Sequence, residues 1–160
     1  MKGRVSVSNL KDELKSIALR VNELLNEYIE IHNVVFDSPW WKSIPLPFIF
    51  KAIDFNNLNG GAKRILFELR TCDQQINGLV ENAIQREKMF AQVLSKYCRE
   101  LIETVSLLEG ITHQLYLKSE GMGKYSFREY NKQCALYKNA VNNYISVGGQ
   151  LNSLYSELYR

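Results

Sequence analysis

The chain has 160 residues, 46% hydrophobic and 23% charged, with a formal net charge of +3. That composition is too apolar for a disordered chain and sufficient for one domain with its own core. The charge is small: the first helical segment is mildly acidic, residues 62–118 nearly balance with eight bases against seven acids, and Lys2, Arg4 and the C-terminal segment supply the positive surplus, so no single face is committed to phosphate.

Cys72, Cys98 and Cys134 are odd in number and widely spaced, which fits neither a disulfide framework nor a C-x-x-C metal or redox motif. A reducing compartment, and by default the cytoplasm, is the expectation. Residues 1–8 hold two bases but no apolar run behind them, so a secretory signal is not expected. The longest apolar stretch, 44–50, is interrupted by proline and falls far short of the roughly 20 residues of a membrane-spanning helix.

Residues 1–7 read as an extended tail. From Leu10 the apolar positions run Leu14, Ile17, Val21, Leu24, Tyr28, Ile31 and Val35, in alternating steps of four and three. That period predicts a helix over 8–36, with Ser8 or Asn9 as its cap and Asp12 in its first turn. Ala18, Leu25 and Ile29 widen the stripe beyond a coiled-coil seam, so it asks for more than one partner helix.

Residues 37–61 differ in composition: Pro39, Pro45, Pro47, Trp40 and Trp41 all lie here. Proline removes a donor and restricts the residue before it, so 37–46 reads as an irregular connection. A short helix over 48–58, opened by Pro47, is expected to stop at Asn59-Gly60-Gly61.

Residues 62–118 contain no proline and keep a helical apolar rhythm from Ile65 to Leu108. Residues 85–88, Gln-Arg-Glu-Lys, are good helix formers without a turn residue, so one continuous helix, kinked at most, is favoured. The alternative is a break near 85–88 that yields four helices of comparable length. A glycine-rich turn then leads to Ser126-Phe127-Arg128-Glu129, which has capping-box spacing. The last helix, 126–159, carries the seam Tyr130, Cys134, Tyr137, Val141, Tyr144, Gly148, Leu151, Tyr155 and Leu158. The fold expected is therefore all-α, a single domain over 1–160: an elongated antiparallel helical bundle on one long central helix, or a compact four-helix bundle.

No constellation for chemistry emerges. His32 and His113 lack the companions of a bundle metal site; Glu109 and His113 are four apart, but two ligands underfill it. The cysteines fall on core seams, and no Gly-x-Ser-x-Gly or phosphate loop is present. Gly60-Gly61-Ala62-Lys63-Arg64 offers a weak anion site if it opens a helix, and Lys51, Lys63, Arg64 and Arg70 a small basic patch. No catalytic, cofactor or metal residue is assigned.

Two features point to partners. Trp40, Trp41, Ile44, Phe48 and Phe50 form a dense apolar cluster that either plugs the bundle end or docks a protein. A membrane-surface role is a weaker version, since only Lys42 and Lys51 support it. In the last helix Tyr130, Tyr137 and Tyr144 recur every seven residues, beside a face of Asn139, Asn142, Asn143, Ser146, Gln150, Asn152 and Ser153 that is rich in amides and poor in charge. The functional expectation is a non-catalytic protein-interaction module that self-associates, because apolar stripes on so long a helix need more cover than two shorter helices supply. A membrane-surface module and an enzyme with a dispersed site are the alternatives.

Overall fold

The computed structural model describes residues 7–36 and 53–160. Four helices fill them: α1 (Val7–Phe36), α2 (Phe55–Val80), α3 (Gln85–Ser119) and α4 (Phe127–Tyr159), with no strand among the described residues. The all-α bundle is as expected. Contacts fix an up-down-up-down order. Arg20 of α1 meets Glu68 of α2, and Ser95 near the start of α3 donates to Asp73 in the second half of α2. Phe90 at the start of α3 packs on Tyr155 and Tyr159 at the end of α4.

The favoured continuous helix over 62–118 is corrected: the chain turns at Glu81–Ile84, one turn before the alternative break at 85–88. Asn82 and Ala83 donate to the carbonyls of Leu79 and Val80, and Ile84 is extended. Residues 85–88 are the first turn of α3, as their helix propensity favours. The turn wins because propensity is worth a few tenths of a kcal/mol per residue, whereas fully burying an Ile or Leu side chain is worth about 1.5–3 kcal/mol. Folding back sets Ile65, Leu69, Cys72 and Ile76 against the α3 stripe of Leu94, Cys98, Leu101, Val105 and Leu108, and all of these are buried. The helices come out about 39–53 Å long, comparable with one another.

Two other boundaries also move. The stop at Gly60-Gly61 gives way to an α2 that starts at Phe55, after non-helical Ile53 and Asp54, and runs through both glycines, while the first part of the short helix expected over 48–58, residues 48–52, lies outside the described residues. Asp54 caps it by accepting from the Asn57 amide. Gly61 lies inside the helix because α1 presses there: a Cβ at that position would stand 3.1 Å from Ile31 Cδ1. In α1 the helix begins at Val7, so Ser8 and Asn9 are helical residues and Asp12 lies beyond the first turn. The Trp/Pro cluster of Trp40, Trp41, Ile44, Phe48 and Phe50 lies outside the described residues.

The end of α3 and the start of α4 follow the sequence closely. Met122 donates to Leu117 and Gly121 to Lys118, a Schellman closure that needs the positive φ of +70° at Gly121. Ser126 then forms the full capping box with Glu129. Helix α3 is the hub of the fold, packed against all three other helices.

Candidate functional site: a groove between the first and fourth helices

The arrangement is uneven around the hub. Helix α1 lies against α2 and α3, while the α1 and α4 backbones hardly meet along their length. Large tyrosines bridge the gap. Tyr28 of α1 hydrogen-bonds Tyr137 of α4 at 2.5 Å, and His32 Nδ1 lies 2.7 Å from the same hydroxyl. Tyr159 donates to the Lys11 carbonyl at 2.7 Å near the opposite end. Between these struts the seam stays open, leaving a cleft of about 330 Å³.

Its floor comes from α3, with Phe90, Leu94 and Tyr97, and from Val21 of α1. Its walls are Ala18, Asn22 and Leu25 on one side and Gly148, Leu151 and Tyr155 on the other. Gly148 suits this shape: a Cβ there would stand 3.2 Å from Tyr97 Cε2, a tight contact that would make the ring shift by a few tenths of an ångström. At the mouth Leu19 is 50% exposed, with Asn22 and Asn152 beside it. A second depression of about 240 Å³ lies further along the seam, lined by Phe36, Tyr137, Lys138 and Val141.

Charge is distributed asymmetrically. The four glutamates of α1 all lie on its α2 side. Glu23 and Glu27 pair with Arg20 and Arg64, Glu13 lies beside Gln75 and Leu79, and Glu30 beside Asn57 and Arg64. Glu68 completes the network through Arg20 and Arg64, whose guanidinium hydrogen bonds hold its carboxyl below the usual range. On the groove side Lys11 and Lys15 stand over the Tyr159 ring, 5.3 and 5.6 Å from its centre. Helix α4 carries no charged residue at all from 139 to 156.

The residues singled out from sequence fall as follows. Tyr137 and Tyr144 are buried, Tyr144 against Tyr28 and Tyr97 in edge-on contacts, so these two pack into the interior beside the groove rather than lining it, and Tyr137 lines the second depression. Tyr130 is half-buried against Tyr125, and burial pushes its phenol up to about 12. Burial likewise raises the thiols of Cys72, Cys98 and Cys134. Lys63 and Arg64 lie inside α2, so their amides are committed to helix bonds and the weak anion site that a helix start there would have offered does not form. Glu109 accepts from buried Asn59, while His113 is exposed. Among the described residues no three His, Cys, Asp or Glu side chains converge as metal ligands, and no described helix is long and apolar enough to cross a membrane.

Sequence reasoning missed the groove itself, with Leu19, Asn22, Tyr97 and Gly148 as its defining residues. Two signals pointed there: a glycine on the α4 seam, and the uncharged run beside it. No protein-family model matches the chain, and comparisons with curated proteins and with solved structures return no match.

Proposed function

We propose that this chain is a non-catalytic interaction module that receives a partner in the α1–α4 groove. The observation that carries this reading is the combination of an open apolar seam with an adjoining α4 surface, residues 139–156, that is exposed along one side yet bears no charge. Depletion of charge around an apolar depression is a mark of interface cores, and a solvated helix face would ordinarily be rich in lysine and glutamate.

The chemistry-bearing side chains support a non-catalytic role. The thiols of Cys72 and Cys98 are buried, which raises them, His32 is tied to Tyr137, and Glu109 is held by Asn59. Each is engaged in packing or internal hydrogen bonds.

The case for self-association weakens in one respect. It rested on stripes of a long helix left uncovered, and the turn at Glu81–Ile84 covers them within the chain. A heterologous partner is the reading retained.

The test is affinity capture from cell extract with the intact chain beside Leu19→Asp and Asn152→Arg. Leu19 and Asn152 are exposed, so both variants are expected to keep the fold, which circular dichroism of each checks. A protein held by the parent and lost by both variants supports the groove. Capture unaffected by either, or flotation with liposomes abolished by Trp40→Ala plus Trp41→Ala, would overturn it.

A further inference from the structure

We infer that the groove's occupant is an amphipathic helix of another protein, with an apolar stripe, an uncharged flank toward α4, and carboxylates toward Lys11 and Lys15. This rests on the groove being a docking site and adds the chemistry of what docks. The cleft lies between two antiparallel helices, over an apolar floor of Phe90, Leu94 and Tyr97. Such a trough matches the shape of a third helix lying along it, whose side chains at steps of three and four point to one face.

The flanks differ, and they set the partner's polarity. On the α4 side a partner's charge would be desolvated against residues 139–156, none of which carries an opposite charge to pair with it. That flank must therefore be amide, hydroxyl or small. On the α1 side the glutamates are turned toward α2, and Lys11 and Lys15 form no ion pair with a described residue. Asp12 and Glu87 also lie near Tyr159, whose phenol is raised mainly by burial and to a smaller degree by Tyr155 and these two carboxylates. Two unpaired ammonium groups at the groove's end favour an acidic flank over a basic one.

A second copy of this chain fits poorly. In a two-fold pairing through the groove each residue meets a different residue of the same patch, so Lys11 and Lys15 would have to be met by carboxylates of this same face. The glutamates that could answer them, Glu23 and Glu27, are committed to Arg20 and Arg64.

The probe is a labelled synthetic helix of about 18 residues, about 27 Å long, with a leucine stripe, a glutamate flank and a glutamine/serine flank. Its counterpart has lysine in place of glutamate. Both are titrated with the full chain by fluorescence anisotropy. The glutamate helix is expected to bind, to weaken about tenfold with Lys11→Glu plus Lys15→Glu or in high salt, and to lose binding with Leu19→Asp. If the lysine helix binds equally and Leu19→Asp removes it, the acidic partner is overturned while the groove stands. If neither helix binds, or both bind Leu19→Asp as well as the parent, the groove reading falls with it. A dimer in sedimentation that Leu19→Asp dissociates overturns the heterologous partner in favour of a second copy.

Discussion

Tyr97 of α3 lies against the bare backbone of Gly148 in α4, close enough that a methyl group at residue 148 would stand 3.2 Å from the ring edge. The ring is held from behind by Tyr144, in an edge-on contact with centres 6.1 Å apart. The adjacent Gly149 has open space around its Cβ position. The two substitutions should therefore part company. Gly149→Ala gains helix propensity and is expected to stabilise the protein by about 0.5–1 kcal/mol. Gly148→Ala gains the same propensity but overpacks the floor, an effect of about 1–3 kcal/mol, and is expected to end net destabilised. Urea unfolding of the two single variants reads the difference.

The buried hydroxyl of Tyr137 serves both Tyr28 and His32. Removing it in Tyr137→Phe strips a partner from Tyr28 inside the bundle, so a loss of about 1–3 kcal/mol is expected. Tyr28→Phe removes the other half of that bond. A double-mutant cycle should give a coupling well away from zero, because the two side chains touch. Additive losses would show that the hydroxyls do not stabilise each other.

Ile84 occupies the cap position of α3 with an extended backbone and no side-chain hydrogen bond, and it is 57% exposed. Ile84→Ser or Ile84→Asp supplies the missing acceptor for the first-turn amides and gives up little burial. A stabilisation of about 1 kcal/mol is expected, read as a raised Tm. Were α3 in solution a continuation of α2, either variant would instead destabilise, since both residues are poorer helix formers inside a helix than at its cap.

Alkali is expected to destabilise this protein as its buried phenols ionise. Burial raises the phenols of Tyr28, Tyr97, Tyr137 and Tyr144, and Tyr130 is pushed up to about 12. A free tyrosine titrates near 10, so the folded state holds protons that the unfolded chain releases. The stabilisation is complete below about pH 10 and is lost as pH rises toward the folded values. Tm measured across this range should fall steeply above about pH 10, in step with the appearance of phenolate absorbance. The thiols move in the same direction, and Cys134, half-buried, should react with a thiol reagent before Cys72 and Cys98.

By itself the sequence determined the helical class and the faces that go inward. Steps of three and four from Leu10 to Val35 and from Tyr130 to Leu158 could be satisfied only by amphipathic helices, and the closure at Gly121 and the Ser126–Glu129 box are local devices readable from a few residues. What local preference could not decide was where residues 62–118 turn, because residues 81–84 hold no strong breaker and the energy that bends the chain comes from side chains far apart in sequence. The same holds for Gly60-Gly61, which reads as a stop until Ile31 is seen pressing on it. The groove belongs wholly to the tertiary structure: which helix pair is left apart depends on how α1 settles against α2 and α3, and on which sides Glu23, Glu27, Lys11 and Lys15 are then turned.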